Sequence, residues 1–230
     1  MAHSVVPRHV GFIIDGNRRW AKERGLKPYE GHYAGYEVVK EVLIETIHRG
    51  VKYVSCYIFS TENWSRPKIE VNKIMDLFMK AMIDDIPIFN AEGVRVKIVG
   101  TRERLSGKVL AAIMRVEAET AQNGTGELLI CFNYGGYQEI TDAVAAIVRS
   151  GVPASEVTPE LISKNLYAPE VPACDIIVRT SGEQRLSGFM LWRAAYSELM
   201  FMDKYWPDMT KQDVTVILKE YANRNRRFGG

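Results

Sequence analysis

The chain has 230 residues, 47% of them hydrophobic, which suffices for the core of one α/β domain, and we expect a single domain over residues 1–230. Its net charge is only +2, from 30 basic and 28 acidic residues, which excludes the global positive field typical of nucleic-acid-binding proteins. The three cysteines have no CxxC spacing, which favours a cytoplasmic protein. No apolar run approaches about 18 residues, so we expect no transmembrane segment.

The first predicted strand, residues 10–14, is a short apolar run that ends at Asp15, Gly16 and Asn17. Residues 18–24 have helix-forming composition, with Asn17 as the candidate N-cap. A helix N-terminus beside arginines favours an anion, and a carboxylate among such groups favours a bridging magnesium ion. A plain turn followed by a solvated cationic helix face is the alternative interpretation.

A mobile loop is expected at residues 26–31, which are polar and contain Pro28. Such a loop could close over a ligand. A long helix then runs to about Gly50 and places His32 near its start. A histidine at a helix start is often a capping or surface group, but His32 lies at the same end of the sheet as Asp15.

The second predicted strand, residues 53–59, also ends in a polar cluster, residues 60–67. Residues 69–89 are helical but apolar on more than one face, and Pro87 is expected to kink or end this helix. Its apolar faces fit either ordinary core packing or the lining of an apolar cavity beside the sheet.

The remaining elements alternate along the chain. Strands are predicted at residues 94–99, 127–133, 175–178 and 199–202, and helices at 109–121, 138–148, a short segment after Thr158, 189–196 and 211–224. This alternation predicts an α/β fold with a mainly parallel six-stranded sheet flanked by helices. Because ligands bind at the carboxyl ends of such strands, the polar clusters after strands one, two and five should converge.

A second cationic cluster, Arg179, Arg185 and Ser187, follows the fifth strand. Guanidinium groups match phosphate oxygens bidentately, so this cluster and the pair Arg19 and His32 predict two phosphate sites. Structural salt bridges are the alternative explanation for these arginines. Apolar helices beside two phosphate sites indicate ligands that carry phosphate heads and hydrocarbon tails.

Two other chemistries use similar residues. Phosphoryl transfer is one, although the chain contains no GxxxxGK[ST] P-loop. A phosphatase with Asp15 as its nucleophile is the other, although Asn17 stands where a second aspartate is expected.

Seven blocks of the chain stand out together: HVGFIIDGNRRWA, GHYAG, FSTENWSRP, NYGG, DIIVRTSGEQRLSGFMLW, YSEL and RRFGG. In order and over nearly the whole chain they resemble the cis-prenyltransferases, the undecaprenyl diphosphate synthase family. The resemblance implies a magnesium-dependent homodimer with an apolar tunnel, which adds isopentenyl diphosphate to farnesyl or geranylgeranyl diphosphate and makes a (Z)-polyprenyl diphosphate. It implies no nucleic-acid partner and allows peripheral membrane contact during product release.

Two alternatives stay open within this resemblance. One is prenyl transfer to another acceptor, such as a glycerol phosphate lipid. The other is a non-catalytic partner subunit of a prenyltransferase, which loss of Asp15 or of the arginines would favour; both are present.

The resemblance also implies roles for single residues. Asp15 and Glu198 would hold magnesium, and Asp15, Asn17 and Asn63 would form the catalytic set. The binding residues after the fifth strand would hold isopentenyl diphosphate, and those near Asp15 would hold the allylic diphosphate. Residues 60–66 would close the site. The substrate-binding set comprises Gly16, Arg18, Arg19, Trp20, Arg24, His32, Ser60, Glu62, Trp64, Arg66, Arg179, Arg185, Ser187 and Arg227.

The chain departs from the family pattern at three places: at Pro28, at Arg18, where bacterial members usually have glycine, and after the fifth strand, where Gln184 replaces a histidine and Gly188 an asparagine. Glutamine is a poorer metal ligand than histidine, so Glu198 would act with fewer partners.

Pro28 stands where an arginine is common, which leaves Lys27 or Arg24 as substitutes. Ile58 and Phe132 are larger than the residues often found at these strand positions. Larger side chains there predict a shortened tunnel.

Overall fold

The computed structural model describes residues 6–224, so the prediction for Arg227 lies outside the described residues. The strands are β1 His9–Ile13, β2 Tyr53–Ser60, β3 Val94–Val99, β4 Gly126–Tyr134, β5 Ile176–Arg179 and β6 Glu198–Phe201. The helices are α1 Asn17–Glu23, α2 Pro28–His48, α3 Lys68–Asp84, α4 Ile86–Ala91, α5 Gly107–Glu119, α6 Gly136–Arg149, α7 Pro159–Asn165 and α8 Lys211–Asn223. Short 3-10 helices lie at Thr61–Ser65, Ala154–Glu156 and Trp206–Asp208.

The six strands form one parallel sheet in the order β3-β4-β2-β1-β5-β6, which confirms the predicted architecture. β1 lies between β2 and β5, and Ile13 is level with Tyr57 of β2 and Arg179 of β5. The segments that follow these three strands therefore leave the sheet side by side at one edge. This adjacency brings together the polar clusters that the sequence predicted to converge.

Helices cover the sheet on both faces. The larger cluster of buried side chains joins the sheet to α2, α3, α5 and α8, and the smaller one includes Phe189 and Met190, which follow β5. Cys56, Cys131 and Cys174 are buried free thiols. Among residues 6–224, no helix combines the length and hydropathy of a membrane span.

Two predicted details near the site are corrected. Gly16, not Asn17, is the N-cap of α1, and Asn17 is the first residue of that helix. Of the loop predicted at residues 26–31, only Leu26 and Lys27 are non-helical, because α2 begins at Pro28. Proline is well suited to this place, since its fixed φ is helical and the first helical residue needs no N–H donor.

Two helix predictions are also corrected. The segment 69–89 is two helices, α3 and α4, with Pro87 in the first turn of α4. Residues 189–196 form consecutive turns instead of a helix. Met190 has a left-handed φ of 46°, and the Arg193 guanidinium contacts Glu139 of α6, so tertiary contacts override the helical pattern.

Candidate active site

A cleft of about 1400 Å³ opens at the carboxyl ends of β1, β2 and β5. Thirteen of the predicted site residues line it. They are Asp15, Gly16, Asn17, Arg18, Arg19, His32, Ser60, Glu62, Asn63, Arg66, Arg179, Arg185 and Ser187. Lys22 and Glu183 also line the cleft.

The backbone fixes Asp15 at the floor of the cleft. Its carbonyl oxygen accepts hydrogen bonds from the Thr180 hydroxyl at 2.7 Å and from the Trp206 backbone N–H at 3.0 Å. Its Oδ1 accepts the Gly16 N–H at 2.7 Å, which leaves Oδ2 to face the cationic residues. The carboxylate is therefore preorganised, and nothing in the sequence alone indicated the contributions of Thr180 and Trp206.

Gly16 is required by the sharp turn between β1 and α1. Its φ is +105°, a conformation that other residues rarely adopt, and a Cβ there would lie 2.7 Å from the ring of Tyr205. The turn lets α1 begin immediately after Asp15. Helix α1 then crosses α2 at close range, where Gly31 and Gly35 face Asn17.

Arg179 connects Asp15 to the loop after β5. Its side chain is 5% exposed, and Nη2 donates to Asp15 Oδ2 at 2.8 Å. Nη1 donates to the Ser187 hydroxyl at 2.9 Å and to the Arg185 carbonyl oxygen. Ser181 and Ser187 have positive φ, so the loop folds back over the guanidinium in a conformation seldom adopted by residues with a Cβ.

Alternating positive and negative side chains lie beside Arg179 at the outer edge of the cleft, and together they form one wall of it. Arg19 donates to Glu183 Oε1 at 3.0 Å, and its other terminal nitrogen lies 3.5 Å from Asp15 Oδ2. Arg185 donates to the second oxygen of Glu183. The hydrogen bond from Arg185, followed by the charges of Arg185 and Arg19, holds the pKa of Glu183 below its ordinary value.

Glu70 organises the opposite wall, and the sequence analysis missed it. This buried carboxylate lies 3.2 Å from His32 Nε2, 3.4 Å from Arg66 Nη1 and 3.7 Å from Arg18 Nε. The His32 hydrogen bond first, and then the two arginines, hold its pKa below the ordinary value although burial acts in the other direction. The spacing of Arg66 and Glu70, four residues apart at a helix start, was an available signal.

The segment after β2 forms the third side of the cleft. Ser60 and Asn63 make a reciprocal cap of the 3-10 helix, with the Ser60 N–H donating to Asn63 Oδ1 at 3.2 Å. Asn63 thus fixes the turn that exposes Glu62 to the cleft. Trp64 points elsewhere, because its indole N–H donates to Asn133 at 2.7 Å and its ring packs edge-on against Phe59.

Three predicted binding residues, Trp20, Arg24 and Trp64, do not line the cleft. Arg24 stacks on the Trp20 ring at 4.3 Å, and both side chains reach Asp208. Arg24 therefore does not replace the arginine absent at Pro28. Lys27 is not among the lining residues either, whereas Lys22 is.

Glu198 does not lie with Asp15 in this chain. It begins β6 and is level with Ile176 at the start of β5, whereas Asp15 follows the opposite end of β1. Its carboxylate accepts a hydrogen bond from Arg224 at 2.9 Å. Within this chain the parallel sheet therefore separates Glu198 from Asp15, and the assignment of Glu198 to the metal stays a prediction.

Asp15 alone still fits magnesium. Within residues 6–224, no cluster of three or more histidine, cysteine or carboxylate ligands is arranged to hold a metal ion. Magnesium, however, is often bound by one or two carboxylates together with substrate phosphate oxygens. Asp15 is one-third exposed at the floor of the cleft, and its Oδ2 contacts the guanidinium groups of Arg179 and Arg19, a residue type that also binds phosphate oxygens.

An apolar cavity of about 80 Å³ adjoins the cleft. Ile14, Asn17, His32 and Ile58 line both spaces, so the two meet at this neck. Beyond the neck the cavity lies between the sheet, α2 and α3. Asn17 Oδ1 is buried without a hydrogen-bond partner among the described residues, and it lies against Gly35 of α2.

The two side chains on which the prediction of a shortened tunnel rests lie differently in the structure. Ile58 lines the neck. Phe132 is fully buried and stacks on Phe78 of α3 with ring centroids 3.7 Å apart, so it backs the cavity wall instead of lining it.

Comparison with known sequences identifies relatives of nearly the same length. A family described as "Putative undecaprenyl diphosphate synthase" matches residues 13–229. The isoprenyl transferase of Thermotoga maritima is 47% identical over 227 residues, covering 98% of this chain and 97% of the relative. The isoprenyl transferase of Agrobacterium fabrum is 43% identical over 230 residues, covering 98% and 93%.

Comparison with solved structures identifies members of the same family. Lavandulyl diphosphate synthase from Lavandula x intermedia, in complex with dimethylallyl diphosphate, superposes with a TM-score of 0.94 at 30% identity, covering 98% of this chain and 99% of that one. A "probable undecaprenyl diphosphate synthase" from Campylobacter jejuni gives 0.83 at 28% identity, covering 97% and 99%. Because sequence and fold match over nearly the whole chain, we conclude that it belongs to the cis-prenyltransferases, the undecaprenyl diphosphate synthase family.

Proposed function

We propose that this prenyltransferase condenses isopentenyl diphosphate with an allylic diphosphate primer, such as farnesyl or geranylgeranyl diphosphate, and releases a (Z)-polyprenyl diphosphate. The observation that carries the proposal is the position of Asp15, between two cationic walls and beside the neck of an apolar cavity. One wall centres on Arg179 and the other on Glu70 with its cationic partners. The two cationic walls match two diphosphate groups, and the apolar cavity matches one hydrocarbon tail.

The reaction breaks the allylic C–O bond, and the electron pair leaves with the diphosphate. The double bond of the isopentenyl unit supplies the electrons of the new C–C bond, and the resulting cation loses a proton to an oxygen of the released diphosphate. His32 on the Glu70 wall and Arg19 beside Asp15 bind the allylic diphosphate, while Arg179, Arg185 and Ser187 bind isopentenyl diphosphate. Fixed donors that face developing negative charge contribute several kcal/mol to such a step. The apolar neck excludes water from the electron-poor allylic carbon.

Asp15 would hold magnesium together with diphosphate oxygens, and the ion would neutralise the charge of the leaving group. Of the protein groups, Asp15 orients the bound diphosphate, and Asn17 lies at the neck, next to the reacting carbons. Asn63 and Ser60 fix the segment that covers the cleft after binding. A homodimer and peripheral membrane contact for release of a long apolar product are further parts of the proposal.

The test is an elongation assay. Purified protein is incubated with isopentenyl diphosphate, magnesium and one primer at a time, from dimethylallyl to geranylgeranyl diphosphate, and extracted lipids are analysed by mass spectrometry. We expect elongated products and their loss with a chelator. A folded protein that elongates no primer would overturn the proposal. Added glycerol phosphate lipids test the other acceptor class, and activity of the purified protein by itself tests the partner-subunit alternative.

Asp15→Asn should lower kcat roughly 10²- to 10³-fold, because it removes the charge that orients the diphosphate and its metal. Asp208→Asn is the matched control, since Asp208 is an exposed aspartate that contacts Trp20 and Arg24 outside the cleft. Its kcat should stay within about twofold of the unmodified protein. Near-normal turnover in Asp15→Asn would contradict the assigned role.

A further inference from the structure

Residues 133–136 lead from the end of β4 into α6, and none of these four described residues lines the cleft. Their sequence, NYGG, is one of the seven blocks of the resemblance, yet the proposed reaction does not use it. They lie between the 3-10 helix that follows β2 and the loop that follows β5, and they contact both. We call residues 133–136 the β4–α6 turn.

Asn133 joins the β4–α6 turn to the 3-10 helix. The residue is 1% exposed, and its Oδ1 accepts the indole N–H of Trp64 at 2.7 Å. Its Nδ2 donates to the carbonyl oxygens of Thr101 and Glu103 at 2.9 and 2.8 Å. The backbone of Asn133 has a left-handed φ of 51°, which asparagine adopts more readily than most residues with a Cβ. The side chain that holds Trp64 is therefore itself fixed by the segment after β3.

Two further contacts hold Trp64 and its helix in place. The Trp64 ring packs edge-on against Phe59 with centroids 5.3 Å apart, and the Arg104 guanidinium lies 4.5 Å from its centroid. Gly135 lies against the first residue of the 3-10 helix, because a Cβ on Gly135 would lie 2.5 Å from Thr61 Oγ1. The helix is thus attached to the β4–α6 turn at two places.

The end of the 3-10 helix leads to one wall of the cleft. Arg66 directly follows this helix, and its N–H donates to the Asn63 carbonyl oxygen at 3.1 Å. The Arg66 guanidinium lies 3.4 Å from the Glu70 carboxylate, which also contacts His32. The position of the helix therefore determines how Arg66 meets the wall centred on Glu70.

Gly136 joins the β4–α6 turn to the loop after β5. Its N–H donates to the Gly188 carbonyl oxygen at 2.9 Å, and a Cβ on Gly136 would lie 2.4 Å from that oxygen. The Tyr57 hydroxyl donates to the Tyr134 carbonyl oxygen at 3.2 Å and lies 3.5 Å from the carbonyl oxygen of Ser187. The same turn therefore positions the loop that carries the Ser187 hydroxyl into the cleft.

We propose that the β4–α6 turn is a positioning element, which fixes the separation between the site of the allylic diphosphate and the site of isopentenyl diphosphate. The assignment of these two sites rests on the proposed function. Asn133 acts through Trp64, and Gly136 acts through Gly188. Two substrates that react with each other need sites at a fixed separation, because a small displacement of the reacting atoms lowers the rate strongly. Trp64, which the sequence predicted to bind substrate, thus has a positioning role.

The first test removes the hydrogen bond to the 3-10 helix. Trp64→Phe lacks the indole N–H but keeps an aromatic ring against Phe59. The KM for the allylic diphosphate should rise roughly three- to tenfold, and the KM for isopentenyl diphosphate should stay within about twofold. Gly135→Ala, which displaces the same helix, is the second variant. Trp192→Phe is the matched control, because the Trp192 indole donates to Ser163 at 2.8 Å outside the cleft, and both of its KM values should be unchanged.

The second test displaces the loop after β5. Gly136→Ala pushes on Gly188 and thereby moves Ser187, so the KM for isopentenyl diphosphate should rise roughly three- to tenfold. The KM for the allylic diphosphate should stay within about twofold. Tyr57→Phe, which removes only a hydroxyl group, is the milder variant. Gly107→Ala is the matched control, because Gly107 is also the first residue of a helix and has no atom near its added Cβ.

Hydrogen exchange separates this inference from the proposed function, because it needs no turnover. In Trp64→Phe the backbone N–H groups of residues 61–66 should exchange roughly fivefold faster or more, and residues 185–188 should keep their rates. Gly136→Ala and Tyr57→Phe should show the opposite pattern. Thermal unfolding establishes that each variant is folded. Unchanged exchange in the folded variants, or an equal change of both segments or of both KM values in every variant, would overturn the inference even if no primer were elongated.

Discussion

Asp15 and Glu70 are carboxylates on two sides of the cleft, and each is paired with cationic side chains. Asp15 was predicted from sequence because it ends an apolar strand and precedes turn residues. Glu70 was missed because its three partners come from α1, α2 and the segment before α3, and only the fold brings them together. A buried carboxylate with three cationic or polar donors holds those donors in place for a ligand.

The first residue-scale prediction concerns this positioning. Glu70→Gln keeps the shape of the side chain but removes the negative charge that orders His32, Arg66 and Arg18. Hydrogen bonds to charged groups contribute about 1.5–3 kcal/mol, so kcat/KM for the allylic diphosphate should fall roughly ten- to a hundredfold. Steady-state kinetics with varied primer measures this change, which should appear mainly in KM.

Asp84→Asn is the control for this experiment, because Asp84 is an exposed carboxylate of the same helix and pairs only with Lys80 among the salt bridges of the described residues. Its kinetics should be unchanged. If Glu70→Gln bound the primer as tightly as the unmodified protein, the positioning role would be wrong, and Glu70 would contribute only to the stability of the fold.

At the scale of secondary structure, the crossing of α1 and α2 determines where Asn17 lies. Gly31 and Gly35 form a flat surface on α2, and a Cβ on Gly31 would lie 2.0 Å from the Asn17 carbonyl oxygen. The Trp206 indole N–H donates to the Gly35 carbonyl oxygen at 2.9 Å, which anchors the same region of α2. The crossing therefore sets the distance between the Asp15 turn and the helix that carries His32.

Gly31→Ala should destabilise the protein and lower activity. Overpacking of this kind costs about 1–3 kcal/mol, which exceeds the gain of up to about 1 kcal/mol from replacing a helical glycine by alanine. Urea unfolding measures the change. Gly107→Ala, at the first residue of α5 with no atom near its added Cβ, should be neutral or slightly stabilising. Equal stability of both variants would show that α1 moves freely against α2.

The secondary structure itself was largely predictable. The strand positions follow from apolar runs bounded by turn residues, and all six predicted strands are present. Helix boundaries were less certain: the structure ends α3 at Asp84, and contacts of Arg193 with Glu139 replace the helix expected at residues 189–196. Local patterns do not reveal such contacts, because the partners are distant in sequence.

At the scale of the whole molecule, the edge of the sheet opposite the cleft contains a buried histidine. His9 Nδ1 lies 2.9 Å from the Pro172 carbonyl oxygen, which can only accept, so Nδ1 carries the proton. Nε2 then accepts the Ser55 hydroxyl hydrogen at 2.6 Å. Burial lowers the pKa of His9 from 6.5 to about 4, so the folded protein keeps this ring neutral.

His9 should make stability depend on pH without involving the cleft. Between pH 6.5 and about 4 the unfolded chain binds a proton that the folded protein excludes, so stability falls on acidification. The expected loss from this group is about 3 kcal/mol. Urea unfolding as a function of pH should show a shallower decline in His9→Gln. His48→Gln is the control, since His48 is largely exposed and should retain the slope of the unmodified protein.

Two outcomes would contradict this prediction. One is an identical pH dependence in His9→Gln and the unmodified protein. The other is a pKa near 6.5 for His9, measured by NMR titration of the unmodified protein, and this test does not depend on the folding of the variant. A buried ring with both nitrogens hydrogen-bonded should resist protonation at that pH.

The sequence by itself determined the parallel α/β sheet, the edge at which ligands bind and most of the cleft residues, because strand ends, turns and cationic clusters are local features. The tertiary structure decided which charges meet. It placed Glu198 at the far edge from Asp15, joined Trp20 and Arg24 to Asp208, and assembled the Glu70 cluster and the Tyr36–Asp85 hydrogen bond. These contacts join residues far apart in the chain, and their energies depend on burial that only packing creates.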